Sequence, residues 1–86
     1  MPAVTIYTRA TCPYCRAAKE LLDKKGIKFT EFEITREPDK RQEMLAKSGG
    51  RSTVPQVFIG ERHVGGCDDL YALDRKGELD KLLAVA

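Results

Sequence analysis

The chain has 86 residues, enough for one domain with a core near the marginal size, so residues 1–86 are read as a single domain and a second one is excluded. Its 42% hydrophobic and 33% charged residues are those of an ordinary globule, and a net charge of +2 is too small to argue for nucleic acid as a partner. Three cysteines, an odd number, do not form the even framework of a secreted disulfide scaffold and point to a reducing compartment.

In chain order, residues 3–8 open with Val4, Thr5, Ile6 and Tyr7 alternating as a strand. No charged leader precedes this strand, and no stretch approaches the ~20 apolar residues of a membrane span, so a cytoplasmic location with no membrane partner is expected. Ala17, Ala18, Leu21 and Leu22 recur at helical spacing within residues 13–25, and Gly26 is placed as the stop of that helix. Residues 28–34 form the next strand, and a return through a helix makes the two strands parallel. Glu37, Pro38 and Asp39 start a second helix that runs to about Lys47, whose charges form a solvated face, before Ser48, Gly49 and Gly50 end it. Residues 56–59 and 62–64, separated by Gly60 and Glu61, read as a hairpin. The final helix begins near Gly66, Cys67 and Asp68, with Leu70 and Leu73 facing inward. After a weak point at Gly77, the spacing of Leu79, Leu82 and Leu83 resumes the apolar stripe into a terminal helix. The order βαβαββα gives an α/β chain with a four-stranded mixed sheet flanked by helices.

The chemistry concentrates at Cys12, Pro13, Tyr14 and Cys15, where the first strand hands over to the first helix. Two thiols three positions apart can close a small disulfide ring or open it again. Cys12 falls at the helix N-terminus, where unpaired N–H groups and the positive end of the macrodipole favour a thiolate, and Arg9 and Arg16 add cationic neighbours. Cys15 lies about one turn inside. Cys12 is therefore the expected nucleophile, and Pro13 suits the first helical position because its missing N–H costs little there.

These residues, together with Thr53, Val54 and Pro55 and then Gly65, Gly66, Cys67, Asp68 and Asp69, resemble the glutaredoxin family, closest to its short dithiol bacterial members of the third type. The resemblance covers nearly the whole chain and rests on three motifs in this order, since Cys-x-x-Cys alone is shared with zinc sites and thioredoxins. It implies a thioredoxin-like fold and glutathione-dependent thiol–disulfide oxidoreduction of protein disulfides and glutathione mixed disulfides. Glutathione is then the reducing co-substrate, with no bound cofactor and no metal. Glutathionylated or disulfide-containing proteins become the partners, ribonucleotide reductase being a candidate, with glutathione reductase acting indirectly and the chain acting as a monomer. Arg9 stands where many members carry Lys, which keeps the charge but changes the geometry offered to a carboxylate.

By the same resemblance Val54–Pro55 is expected to be cis, although an X–Pro bond is cis in only about 5–6% of cases in folded proteins. The Val54 backbone would then face the thiols and pair with the peptide backbone of glutathione. Glutathione carries two carboxylates and one ammonium. Arg9, helped by Arg41 or Gln42, would hold its glycine carboxylate; Thr53, Val54 and Pro55 its middle; and Gly66, Cys67, Asp68 and Asp69 its γ-glutamyl end, with Tyr14 flanking the sulfur. A helix opening at Gly66 offers N–H groups to a carboxylate, and Asp68 is also a candidate N-cap. Cys67 reads as a small buried side chain that also contributes a backbone contact, with a regulatory thiol as the other reading. Cys12, Cys15, His63 and Cys67 formally make a zinc set, rejected because a helical Cys-x-x-Cys with Pro13 is unlike a zinc knuckle and His63 can point to solvent from its strand. A thioredoxin-type enzyme recycled by a flavoprotein is one alternative, disfavoured by the absence of Trp. A glutathione-ligated iron–sulfur carrier is the other, disfavoured by Pro13 and Cys15.

Overall fold

A computed structural model describes residues 3–84. Strand β1 (Val4–Thr8) leads into helix α1 (Pro13–Lys24), then β2 (Thr30–Glu33), α2 (Pro38–Lys47), β3 (Gln56–Ile59), β4 (Arg62–Gly65), α3 (Cys67–Arg75) and α4 (Glu78–Ala84). The four strands form one sheet in the order β2-β1-β3-β4. β1 and β2 are parallel, as the helical return requires, and β3 is antiparallel to both of its neighbours. α1 stops before Gly26, as expected.

The two faces of the sheet carry different cores, because side chains alternate along each strand. Val4 and Ile6 of β1 and Val57 and Ile59 of β3 point to one face, where they meet Ala18, Leu21 and Leu22 of α1, Leu70 of α3, and Leu79 and Leu83 of α4. Tyr7 and Phe58 point to the other and pack with Ile34 and Met44 of α2. Met44 is the buried residue of α2, so the expected solvated face of that helix is observed. Polar ties fix the helices along the strands. Tyr7 donates from its hydroxyl to Glu43 Oε2 at 2.6 Å, while Thr8 and Lys19 both donate to Glu31 Oε2, at 2.6 and 3.0 Å. Burial first, and then the hydrogen bond to Glu43, push the Tyr7 phenol well above its ordinary range.

Several boundaries differ from the sequence reading. β2 is shorter than residues 28–34, because its pairing with β1 begins at Thr5 opposite Thr30. β4 extends one residue further, to Gly65, through an irregularity that places Gly65 opposite Val57 and His63 opposite Phe58. The last helix is two helices. Gly77 adopts φ of +73°, a left-handed conformation that ends α3 and lets the chain turn before α4 begins. Lys25 spans the break, with Nζ 2.6 Å from Asp74 Oδ1 and 2.9 Å from Asp80 Oδ1. Leu73 is half-buried against the core rather than fully inward.

Removing the Leu22 side chain, wholly buried between α1 and the sheet, should cost about 2–5 kcal/mol. Glu20→Ala on the exposed side of the same helix should stay within about 0.5 kcal/mol. Urea denaturation of the two variants checks this, and coincident midpoints would contradict the assigned helix face.

Candidate active site

Cys12 is the N-cap of α1, in extended conformation, with Pro13 at the first helical position. Its Sγ accepts the Cys15 N–H at 3.2 Å, so the side chain satisfies one of the otherwise unpaired donors of the helix start. The same sulfur lies 3.7 Å from the Val54 carbonyl, to which the thiol donates. Val54–Pro55 is cis. The expected juxtaposition of helix start and Val54 backbone is thus present.

The two thiols of the motif are unequal. Cys12 is partly exposed, whereas Cys15 is buried inside the first turn, and all three cysteines are free. Burial, followed by the hydrogen bond to Cys12, pushes the Cys15 thiol up to about 12. Burial also raises the Cys67 thiol, with the negative charge of Asp68 acting in the same direction. Cys12 is the thiol that solvent and substrate can reach.

Beside it opens a cleft of about 370 Å³. Tyr14 stands on one side, 64% exposed. Thr53, Val54 and Pro55 supply the floor, and Gly66, Cys67, Asp68 and Asp69 bring the start of α3 to the far wall. Arg9, Arg41 and Gln42 lie outside these walls: Arg9 is exposed at the end of β1, and Arg41 and Gln42 are on the exposed side of α2, whose buried side is set by Met44.

Two details correct the sequence reading of the α3 end. The N-cap is Gly66, and Asp68 sits inside the first turn; the side chain that caps backward is Asp69, whose Oδ2 accepts the Gly66 N–H at 3.0 Å. An acidic group at the third helical position can reach back to the N-cap amide, and here that group is Asp69. His63, expected to point to solvent, is half-buried, stacked on Phe58 with ring centres 4.9 Å apart, and meets Gln56 Oε1 through Nε2 at 2.6 Å. Burial outweighs solvent access for this ring and lowers its proton affinity, an effect the charge of Arg51 reinforces.

Arg51 is the wall residue that the sequence reading missed. Its Nη1 lies 3.5 Å from Asp69 Oδ2, and its backbone is held by Ser48, whose Oγ accepts the Arg51 N–H and donates to the Arg51 carbonyl, both at 3.1 Å. The available signal was a cation two residues before Thr53, at the mouth of the motif. Among the described residues, no group of three or more His, Cys, Asp or Glu side chains is placed to hold a metal ion, and no helix is long and apolar enough to cross a membrane.

Comparison with known proteins gives a consistent match. The glutaredoxin family profile covers residues 4–64. Glutaredoxin 3 of Escherichia coli strain K12 is 58% identical over 83 residues, covering 96% of this chain and 99% of that protein. The solution structure of glutaredoxin from Brucella melitensis superposes with a TM-score of 0.82 at 57% identity, covering 96% of this chain and 89% of that one. A buckwheat glutaredoxin–glutathione complex superposes with a TM-score of 0.85 at 34% identity, covering 95% and 76%.

Two tests follow from this geometry. With Cys15 and Cys67 buried and their thiols held protonated, alkylation of the reduced protein at mildly acidic pH should label Cys12 first. Peptide mapping reads the order, and earlier labelling of Cys15 or Cys67 would overturn it. Gly65 has φ of +119°, and a Cβ there would lie 2.3 Å from Asp69 Oδ2 and 2.8 Å from its Cγ. Gly65→Ala should therefore displace Asp69 from the Gly66 amide and destabilise the protein by about 1–3 kcal/mol. Faster amide hydrogen exchange in the first turn of α3 is the expected signature, and unchanged exchange would contradict the cap.

Proposed function

The chain belongs to the glutaredoxin family, of the short bacterial type, with its thioredoxin-like fold, and is a thiol–disulfide oxidoreductase. From that premise we propose that its principal reaction is glutathione-dependent removal of glutathione from mixed disulfides, with reduction of protein disulfides as a second activity. The observation that carries this reading is the position of Cys12 Sγ, which caps α1 and lies 3.7 Å from the carbonyl of Val54, itself a wall residue of a cleft whose charged side chains and backbone groups suit a γ-glutamyl tripeptide. The likeness to a family member whose structure was determined with glutathione supports the same choice of co-substrate.

The Cys12 thiolate attacks the glutathione sulfur of a mixed disulfide, forming a Cys12–glutathione disulfide as the substrate thiolate leaves and takes a proton. A second glutathione attacks the glutathione sulfur of that adduct, releasing oxidised glutathione and regenerating the Cys12 thiolate. For a protein disulfide, Cys12 first forms a mixed disulfide with the substrate. Cys15 then loses its proton, attacks Cys12 Sγ and releases the reduced protein, and two glutathione molecules reopen the Cys12–Cys15 bond. Burial, followed by the hydrogen bond to Cys12, holds the proton on Cys15, so this attack requires its removal.

Within the cleft, the Val54 backbone pairs with the middle of glutathione, while the start of α3 with Cys67, Asp68 and Asp69 takes the γ-glutamyl end. Arg9 is the proposed partner of the glycine carboxylate, with Arg41 or Gln42 assisting, and we add Arg51 as the cation of the cleft wall itself. The odd cysteine count supports a cytoplasmic setting, where thiols stay reduced.

Cys15→Ser should keep or raise turnover of small glutathione mixed disulfides and lose the dithiol reduction of protein disulfides, and Cys12→Ser should lose both. Loss of deglutathionylation in folded Cys15→Ser would replace this mechanism with a thioredoxin-like one. Arg9→Ala should raise KM for the glutathionylated substrate roughly tenfold to a hundredfold, the scale of one charged hydrogen bond. An unchanged KM in Arg9→Ala, with a raised one in Arg51→Ala, would move the carboxylate to Arg51.

A further inference from the structure

Gln56 begins β3 immediately after Pro55, and its side chain, though polar, is wholly buried. A buried amide must have its donors and acceptor met, and this one does so by reaching in two directions. Its Nε2 donates to the Thr53 carbonyl at 2.9 Å and lies 3.2 Å from Thr53 Oγ1, while its Oε1 accepts from His63 Nε2 at 2.6 Å. The opposite amide orientation is excluded, because it would set Oε1 against the Thr53 carbonyl, acceptor to acceptor. With Oε1 facing it, His63 Nε2 must carry the hydrogen. The imidazole is itself held by stacking on Phe58, its partner across the β3–β4 pair. A continuous chain therefore runs from β4 through His63 and Gln56 to Thr53, one residue before the Val54 carbonyl that faces Cys12 Sγ.

We propose that Gln56, locked by His63, is a positioning residue that turns the Thr53 carbonyl inward and thereby fixes the Val54 backbone as the binding edge for glutathione. Neither side chain touches the reacting sulfurs, so the pair acts on how well the co-substrate is held and leaves the reactivity of Cys12 to the start of α1. The inference rests on the proposed glutathione reading of the cleft. It adds that the recognition of the tripeptide is set from within the sheet, by residues outside the three sequence motifs.

The test uses the full chain with the cysteine–glutathione mixed disulfide as substrate and reduced glutathione as reductant, reading kcat, KM for the mixed disulfide and the alkylation rate of Cys12. Gln56→Met, of similar shape but without the amide, should raise KM about tenfold, the scale of the hydrogen bonds lost, with kcat and the alkylation rate within twofold of wild type. His63→Leu should raise KM in the same way, and His63→Gln, which restores an N–H toward Gln56, should bring it back to within twofold. These two variants alter a half-buried position and carry the test where Gln56→Met does not fold. A wild-type KM in folded Gln56→Met or in His63→Leu overturns the inference, as does a parallel fall in kcat and alkylation rate, which would mark a merely structural role. Failure of the wild-type protein to turn over the mixed disulfide with glutathione overturns the glutathione reading as well, so the two failures are distinct.

Discussion

The function of this fold depends on one contact, the hydrogen bond from the Cys15 N–H to Cys12 Sγ at the start of α1. It gives the sulfur the place of a capping oxygen, a contact of the kind that contributes about 0.5–2 kcal/mol to a helix. That energy is too small to position a helix. The position comes from Ala18, Leu21 and Leu22, buried against β1 and β3, where each large apolar side chain contributes about 1.5–3 kcal/mol. The core thus decides where the sulfur sits, and the helix end decides how it behaves there.

The difference between the two thiols follows from the same placement. One helical turn carries Cys15 from the exposed lip into the core, where burial holds its proton, while Cys12 stays partly exposed. Opposite, the chain returning from α2 lays the Val54 carbonyl 3.7 Å from Cys12, and the start of α3 closes the other wall. The site is therefore assembled from three chain segments whose relative position is set by the sheet. Asp69 shows the cost of such an assembly: its carboxylate both caps Gly66 and meets Arg51, so a single side chain ties the two walls together.

What the sequence made legible was local. Alternation in Val4 to Tyr7, helical spacing from Ala17 to Leu22 and the seat of Pro13 located the strand-to-helix junction, and the structure puts Cys12 at the N-cap of α1. The split at Gly77 was visible only as a weak point, because glycine lowers helix propensity without announcing whether it will take a positive φ. Long-range pairings were not legible. The meeting of His63 with Gln56 depends on the β3–β4 register and its irregularity, and that of Arg51 with Asp69 on two segments eighteen positions apart in the sequence. A histidine in a polar-looking strand reads as solvent-facing until its stacking partner is known. The cis geometry of Val54–Pro55 was reached through family resemblance, since local residue preferences favour trans.

The central claim is that the start of α1, facing Val54, makes Cys12 the sulfur that exchanges with glutathione. The most direct measurement is mass spectrometry of Cys15→Ser after treatment with oxidised glutathione, followed by peptide mapping. Attack of one thiolate on the disulfide should leave a single glutathione adduct on Cys12, release one reduced glutathione and be reversed by adding more of it. An adduct carried by Cys67 instead, or a Cys12 that forms none in the folded protein, would contradict the account.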